Sequence, residues 1–400
     1  MMSMPSENPP HRISVLADQC VQCGLCLPVC PTYALDGNEA ESPRGRIAIA
    51  AAVARGQVDV TPALRKPLDH CLGCLNCEKV CPAGVQYGEL LVETRALLGP
   101  IPKRPRKLLI LLRHPASLRR LRRFANWMRL PRWKHRIMAW LPTHSAWRAA
   151  LATMPDAITT QPLRPATAEA GEAKHVALFP GCIASIDDAE AQQAALTLLR
   201  AAGFRVSVLP AFCCGAMDLH GGETQIAEQA AQQVRQAWAT CGATQLLSVT
   251  PGCIGTLRRA LPGVPVADPF TLLAAYAEQL RFRPLPLRAA LHLPCTQINV
   301  ARSEAALLQL LRRVPELLVT PLPRPPHCCG AAGSHMLEFP ERAARLRDDT
   351  LNQVATLAPE RLLSSNIGCR LHLAAGMTEP DRNWPHQHPL SLLAQQLESP

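Results

Sequence analysis

Short apolar runs and longer amphipathic stretches alternate through the second half of the chain. The run at 175–179 (HVALF) precedes a helix-type pattern at 189–204 (AEAQQAALTLLRAAGF), and a second apolar run follows at 205–210. Apolar residues spaced three and four apart predict helices, whereas short apolar runs bounded by Gly and Pro predict strands. Because strands that alternate with helices form parallel sheets covered by helices, we expect an α/β fold for residues 173–400.

The same succession of elements occurs twice in this region, which indicates an internal duplication. The run HVALFPGC, which ends at Cys182, matches RAALHLPC, which ends at Cys295, and FCCG in the first copy matches HCCG in the second. Equivalent cysteines are displaced by 113, 115 and 116 residues. So constant a displacement predicts two α/β domains, at 173–284 and 285–400.

Each copy has four cysteines at matched positions: one after the first strand, two in a Cys-Cys-Gly (CCG) motif and one after a later strand. Ligands of parallel sheets gather at the carboxyl ends of the strands, so each set should converge on one site. Such thiols are candidates for metal ligands or redox chemistry, with buried packing as the alternative. The stronger candidate site is in the second copy and the weaker one in the first: Cys295, Cys328, Cys329 and Cys369, and Cys182, Cys213, Cys214 and Cys253.

Two runs near the start, 20–31 (CVQCGLCLPVCP) and 71–82 (CLGCLNCEKVCP), share the spacing C-x2-C-x2-C-x3-C-P. In two-cluster ferredoxins with this spacing, three cysteines of one run and the last cysteine of the other bind one cluster. A structural zinc site is the alternative, but it usually has two separated pairs of ligands. We therefore expect a small α-rich ferredoxin-type domain at 1–99 with two [4Fe-4S] clusters, bound by Cys20, Cys23, Cys26 and Cys81, and by Cys71, Cys74, Cys77 and Cys30.

The cysteine count supports metal or redox chemistry once the compartment is considered. No apolar run approaches the about 20 residues of a membrane-spanning helix, and the first twelve residues lack the apolar segment of a secretory signal. We therefore expect the protein in the cytoplasm, where structural disulfides are disfavoured. Seventeen cysteines in such a compartment indicate metal or redox sites.

The net charge of +11 is concentrated in one segment, because residues 101–140 contain thirteen Lys and Arg and no Asp or Glu. Trp127, Trp133 and Trp140 recur every six or seven residues, which predicts one face of a helix. Such a helix suits an anionic membrane surface, and packing on the protein or on a partner subunit is equally open. Nucleic acid is not expected, since no fold that binds it accompanies the charge. This segment and a Pro-, Ala- and Thr-rich linker fill 100–172.

The paired ferredoxin motifs and the two CCG regions together resemble the iron–sulfur subunits of glycolate oxidase, of anaerobic glycerol-3-phosphate dehydrogenase and of heterodisulfide reductase. The stretches SPRGRI, CCGAAGS and SNIGCRLHLA are most similar to the glycolate oxidase subunit. The chain departs from the fullest CCG pattern, which ends in C-x-x-C, because Thr256 and His372 stand where the last cysteine would be. A cluster with four thiols, a cluster that uses His372 and an empty first copy all stay open.

The resemblance implies an electron-transfer subunit of a glycolate dehydrogenase complex that is not catalytic alone at the substrate carbon. A separate flavin subunit would oxidise glycolate to glyoxylate, and electrons would pass through this chain toward a quinone at the inner face of the cell membrane. No G-x-G-x-x-G turn is present, which argues against a dinucleotide-type flavin site in this chain. The alternatives are a lactate or glycerol-3-phosphate dehydrogenase subunit, a thiol–disulfide reductase subunit of the heterodisulfide reductase type, and a zinc-binding docking module in the CCG half.

Overall fold

The computed structural model describes residues 12–102, 104–155, 174–323, 325–378 and 382–398, without the side chains of Arg132 and His135. These residues form two compact units. The first contains the described residues up to Pro102 together with Asp218–Thr224, and the second contains the rest. The predicted linker at 159–172 lies outside the described residues, and the finer division into four domains stays a prediction.

The first unit is built from short helices joined by cysteine-rich loops. Proline occupies an early position of three of these helices, where its missing N–H is not needed. The hydroxyl groups of Ser42 and Thr61 cap two of them by accepting backbone hydrogen bonds. The helices are α1 Arg12–Ala17, α2 Pro31–Asp36, α3 Pro43–Ala54, α4 Pro62–His70, α5 Asn76–Lys79 and α6 Tyr87–Leu98, with a 3₁₀ turn at Glu39–Glu41.

The basic segment forms three helices, a fourth follows it, and all four belong to the second unit, where their apolar residues are partly buried. Leu108 and Leu109 lie in a core cluster with Leu337, Leu362 and Trp384 of the second copy. Packing on the protein therefore accounts for part of this segment. The helices are α7 Arg106–Arg113, α8 Pro115–Trp127, α9 Leu130–Trp140 and α10 Ala146–Ala152.

The first CCG copy alternates strands and helices as its sequence predicts. The strand β1 covers the predicted run HVALF, and the long helix α12 covers most of the amphipathic stretch that follows it. Its elements are β1 His175–Phe179, α11 Ala184–Asp187, α12 Ala189–Ala201, β2 Arg205–Val208, α13 Ala216–Leu219, α14 Thr224–Ala239, β3 Gln245–Ser248, α15 Pro251–Ala260, β4 Val266–Ala267 and α16 Pro269–Ala275.

The second copy repeats this plan with one difference near its start, where a π-helical segment, Gln297–Ala301, replaces the first short helix. Its elements are β5 Leu287–His292, α17 Glu304–Leu311, β6 Leu317–Pro321, α18 His335–Glu338, α19 Pro340–Leu357, β7 Arg361–Ser364, α20 Ile367–Ala374, β8 His386–Gln387 and α21 Pro389–Gln396.

Each copy has one four-stranded parallel sheet, and the two sheets have the same topology. The strand orders are β2-β1-β3-β4 and β6-β5-β7-β8. The central strands pair in equivalent registers, with Leu178 opposite Leu247 in the first sheet and Leu291 opposite Leu363 in the second. The predicted fold class, duplicated α/β domains with parallel sheets beside a helical ferredoxin-type domain, is confirmed.

One hydrophobic core is shared by the two copies. It contains Leu178 and Leu198 of the first copy and Leu291, Leu310 and Leu392 of the second, all fully buried. Burying five leucine side chains contributes on the order of 10 kcal/mol before conformational entropy is counted. The second unit is therefore one folded body, and the carboxyl ends of its strands are held rigidly by a common interior.

Candidate functional site

The eight cysteines of the first unit line two adjacent hollows. One hollow is lined by Cys30, Cys71, Cys74 and Cys77, which are one of the two predicted ligand sets. The other hollow is lined by the remaining set together with Cys77: Cys20, Cys23, Cys26 and Cys81. The structure thus brings each predicted set together, with the last cysteine of each run beside the first three of the other. Four thiols around one hollow fit the ligand chemistry of a [4Fe-4S] cluster.

The SPRGRI stretch forms the start of α3 and contributes to the lining of both hollows. Ser42 caps α3 by accepting a hydrogen bond from the Gly45 N–H at 3.0 Å. A Cβ atom at Gly45 would lie 2.1 Å from the carbonyl oxygen of Glu39, so only glycine fits there. The two arginines of this stretch lie in different surroundings. Arg44 stays near the surface and donates to the Gln22 carbonyl at 3.2 Å, whereas Arg46 is 1% exposed.

Arg46 anchors a buried ionic network beside the second set of thiols. Its guanidinium donates to Glu41 Oε2 at 2.6 Å and to the Pro67 carbonyl at 2.7 Å, and it lies 3.9 Å from the Cys30 Sγ. The other oxygen of Glu41 lies 2.6 Å from His70 Nδ1. The guanidinium is thus compensated by one carboxylate and held in a single orientation toward the hollow.

Arg95 supplies a second buried positive charge at the same hollow. It donates to the Cys71 carbonyl at 2.7 Å and to the His220 carbonyl at 2.7 Å, and the Tyr87 hydroxyl lies 3.4 Å from the Cys71 Sγ. Burial alone would raise the pKa of the Cys71 thiol, but Arg46, Arg95 and Tyr87 outweigh it and lower this pKa. Nothing in the spacing of these three residues along the chain predicts this role.

The four thiols of the first CCG copy converge on one point. Hydrogen bonds link Cys213 to Cys182 and to Cys214, and Cys214 to Cys253. Hydrogen bonds with Cys213 and Cys253, and to a smaller extent with Thr256, lower the pKa of the Cys214 thiol well below its ordinary value although burial opposes them. The Thr256 hydroxyl also donates to the Cys253 carbonyl at 2.9 Å. Thr256 therefore occupies the place where the fuller motif has a cysteine, and it offers a hydroxyl there.

The thiols of the second copy gather at the equivalent place. The Cys329 and Cys369 sulfur atoms are 2.9 Å apart. Their hydrogen bond lowers the pKa of Cys369, but burial and the nearby Cys295 and Cys328 outweigh it and raise this pKa. One ring nitrogen of His292 lies within 4.8 Å of both the Cys329 and the Cys369 sulfur atoms. Burial lowers the pKa of His292 to about 4, so its imidazole is neutral at neutral pH, as a metal ligand must be.

His372, the histidine considered from the sequence, points elsewhere. Its Nε2 lies 3.2 Å from the Ala343 carbonyl, and it is not part of the group that His292 forms with the two thiols. The helix α20 carries Cys369 near its start and turns His372 toward α19. His292 was missed because it precedes its cysteine by three residues on a strand. A comparison of RAALHLPC with HVALFPGC, where Phe179 takes its place, would have singled it out.

The basic segment presents aromatic side chains to solvent. Trp127 is 75% exposed and Trp140 is 90% exposed, with Phe124 and Trp133 also exposed nearby in the chain. The prediction of one helix that carries all three tryptophans is wrong, because the backbone is left-handed at Arg129 (φ 50°) and a new helix begins at Leu130, with Pro131 in its first turn. Trp127 lies on α8 and the other two lie on α9.

Some basic residues of this segment are buried and pair within the protein. Arg122 is buried and forms a bidentate ion pair with Asp187, with bonds of 3.0 and 2.6 Å. Lys134 is also buried and donates to the Met154 carbonyl. None of the helices in the described part of the chain is long and apolar enough to cross a bilayer.

Comparison with known families identifies the same cysteine-rich regions of the chain. Residues 16–85 match the 4Fe-4S dicluster domain, and residues 176–258 and 289–374 match the cysteine-rich domain. The glycolate oxidase iron-sulfur subunit of Escherichia coli K12 is 30% identical over 91% of both chains. The probable glycolate oxidase iron-sulfur subunit of Bacillus subtilis 168 is 28% identical over 90% of this chain and 88% of its own. Lactate utilization protein A of Geobacillus thermodenitrificans is 23% identical over 50% of this chain and 89% of its own.

The fold, the thiol-lined hollows and these matches define an iron–sulfur protein that transfers electrons as a subunit of an oxidoreductase. The chain belongs to the family of the glycolate oxidase iron-sulfur subunits. The family resemblance noted from the sequence and the expectation of iron–sulfur clusters are thereby confirmed. The number of clusters and the residues that bind them stay predictions.

Proposed function

We propose that this chain is the electron-transfer subunit of a glycolate dehydrogenase and receives electrons from a separate flavin subunit that oxidises glycolate to glyoxylate. The chain passes these electrons toward a quinone. Its cysteines hold two [4Fe-4S] clusters, which supply one-electron redox chemistry when bound. The ligands are Cys20, Cys23, Cys26 and Cys81 for one cluster, and Cys71, Cys74, Cys77 and Cys30 for the other.

The observation that carries this proposal is the pair of adjacent hollows, each lined by one complete ligand set. Cys77 lines both hollows, so the two sites are neighbours, as a relay of single electrons requires. Glycolate is favoured as the substrate of the complex because the E. coli subunit is similar over 91% of both chains, whereas Lactate utilization protein A matches 50% of this chain.

The basic segment is the proposed contact with the membrane that contains the quinone. Arg120, Arg123, Arg129 and Arg136 are exposed near the exposed tryptophans. Arg136 lies 5.1 Å from the ring centre of Trp133. Exposed aromatic rings among arginines fit the headgroup region of an anionic bilayer, where the rings enter the interface and the guanidinium groups meet phosphates.

Cys74→Ala tests the relay. We expect the anaerobically purified variant to lose one cluster, about four irons, and to lose quinone reduction by the complex with glycolate. Reduction of the flavin by glycolate should stay intact, because it occurs in the partner. Cys241→Ala is the matched control: this cysteine is half-buried, has no equivalent in the other copy and should change neither the iron content nor the activity.

Two results would contradict the proposal. An unchanged iron content in Cys74→Ala would remove this cysteine from the ligand set. Loss of flavin reduction together with quinone reduction would mean that the chain takes part in substrate oxidation. The same assay with lactate and with glycerol 3-phosphate in place of glycolate tests the substrate, and faster turnover with either would reassign the complex.

A further inference from the structure

The two CCG copies differ in one buried position that faces their thiols. In the first copy the residue three positions before the leading cysteine is Phe179, which is fully buried and packs edge-on against Phe212 with ring centres 5.2 Å apart. In the second copy the equivalent residue is His292, also buried. An aromatic hydrocarbon ring in one copy thus corresponds to a ring with two nitrogen atoms in the other.

The imidazole of His292 is oriented by a hydrogen bond at one of its two nitrogens. Its Nδ1 lies 2.9 Å from the hydroxyl of Ser364, which leaves Nε2 for a metal. Histidine ligands of metals are usually held in this manner, with the second nitrogen bonded to an oxygen that fixes the ring orientation. The ring is therefore preorganised beside Cys329 and Cys369 rather than free to turn.

The equivalent serine is used differently in the first copy. The hydroxyl of Ser248, which ends β3 as Ser364 ends β7, donates to the Thr250 carbonyl at 3.1 Å and accepts from the Thr250 N–H at 3.3 Å. In the second copy that serine orients the imidazole instead. The change from Phe179 to His292 is thus accompanied by a change in the hydrogen-bond partner of the neighbouring serine.

We infer that the second copy contains a metal centre with mixed ligands, in which His292 donates one nitrogen and Cys329 and Cys369 donate sulfur, with Cys295 and Cys328 beside them. The ligand chemistry suits a thiophilic transition metal, either iron in an iron–sulfur cluster or zinc. His292 supplies a fifth donor beside the four cysteines. His372, which stands at the end of the shortened motif in the same copy, does not join them and bonds a backbone carbonyl. The first copy offers sulfur donors and the Thr256 hydroxyl.

The test uses the full chain, purified without oxygen, with iron, zinc and sulfide measured per chain. We expect metal beyond the about eight irons of two [4Fe-4S] clusters. X-ray absorption at the zinc edge, or pulsed electron paramagnetic resonance of a paramagnetic iron centre, should detect nitrogen bound to this extra metal. His292→Phe, which installs the residue of the first copy, should abolish the nitrogen contribution and remove most of the extra metal, while the other clusters keep their spectra.

His372→Phe is the matched control, because this histidine is equally buried in the same copy and bonds only the Ala343 carbonyl among the described partners. It should leave the extra metal and its nitrogen ligand unchanged. Unchanged metal and spectra in His292→Phe, or equal loss in both variants, would overturn the inference. If His292→Phe does not fold, the spectrum of the unmodified protein decides alone: an all-sulfur centre, or no extra metal, would overturn it as well. The outcome is independent of the substrate and of Cys74→Ala.

Discussion

The two buried guanidinium groups of the first unit give its two thiol-lined hollows different electrostatic surroundings. Arg46 and Arg95 lie beside the hollow of Cys30 and Cys71, whereas Arg44 is near the surface beside the other. A cluster gains negative charge when it is reduced, so a fixed positive charge stabilises the reduced form and raises the reduction potential. Buried charges act more strongly than exposed ones, because solvent screens them less.

Arg46→Met should lower the reduction potential of one cluster. A unit charge about 8 Å away at an effective dielectric constant of about 20 is worth about 2 kcal/mol, which is on the order of 100 mV for one electron. Redox titration followed by electron paramagnetic resonance measures the shift. The control is Arg44→Met, two residues earlier on the same helix, which should shift the other cluster by much less.

The loss of Arg46 leaves the Glu41 carboxylate buried, and breaking a buried pair destabilises a protein by about 3–5 kcal/mol. Arg46→Met with Glu41→Gln removes both charges and keeps the measurement possible if the single variant does not fold. Its potential should lie between those of the wild-type protein and Arg46→Met. Equal potentials in all variants would exclude an electrostatic role for this ion pair.

For individual residues, the sequence predicts which cysteines share a hollow but not what surrounds them. Cysteine spacing is a local property, so all eight cysteines of the first unit could be assigned to two sets before any contact was known. Burial depends on the packing of distant segments. Arg44 and Arg46 are two residues apart in the same motif, and only tertiary structure separates the half-buried arginine from the fully buried one. His292 differs from them, because aligning the two copies places it opposite Phe179 without any tertiary structure.

Among the secondary-structure elements, the start of α21 is joined to the residue after β7 by hydrogen bonds of one histidine ring. His388 caps α21: its Nδ1 accepts a hydrogen bond from the Leu390 N–H at 3.0 Å, and its Nε2 lies 3.0 Å from the Ser365 carbonyl. These two bonds are satisfied together only by a neutral ring that carries its proton on Nε2. A second proton, on Nδ1, would oppose the Leu390 N–H at the start of the helix.

Acid should therefore destabilise the second unit through His388. Burial lowers its folded-state pKa to about 4 from 6.5, so the stabilisation is complete above pH 6.5 and is lost as the pH falls toward about 4. The full effect is on the order of 3 kcal/mol. His388→Asn keeps a capping oxygen and removes the titration, so its stability should fall less between pH 6.5 and 5.

Denaturant unfolding followed by tryptophan fluorescence suits this measurement, since all six tryptophans belong to the second unit. His292 and His372 also have pKa values lowered to about 4, so some pH dependence should persist in His388→Asn. Identical slopes of unfolding free energy against pH for the two proteins would rule out the contribution of His388.

The elements themselves were largely predictable where the hydrophobic pattern was long or repeated. The central strands β1 and β5 coincide with matched apolar runs in the two copies, so each run supports the prediction of the other. The edge strands β4 and β8 have two residues each, too few to show any period. The break between α8 and α9 lies at Arg129, which the spacing of tryptophans alone does not reveal.

For the whole molecule, the exposed aromatic residues of α8 and α9 define a test of membrane contact. The double variant Trp127→Ser and Trp140→Ser should bind vesicles with anionic phospholipids several-fold more weakly than the wild-type protein, because the rings no longer enter the interface. Cosedimentation measures the difference, and added salt should weaken the binding of both proteins.

Leu318→Ser is a suitable control for this experiment, since Leu318 is 66% exposed but lies on β6, outside the basic segment. It should bind vesicles as the wild-type protein does. No binding of the wild-type protein to anionic vesicles, or equal binding of all three proteins, would assign the aromatic surface to a protein partner or to solvent.

The segment Asp218–Thr224 belongs to the first unit although it lies within the first CCG copy of the chain. Its His220 carbonyl accepts a hydrogen bond from Arg95, and a Cβ atom at Gly222 would lie 2.6 Å from the Arg95 carbonyl. During translation, the amino-terminal unit therefore stays incomplete until the ribosome has passed residue 224. Recombination near residue 102 would likewise transfer the amino-terminal unit without its segment Asp218–Thr224.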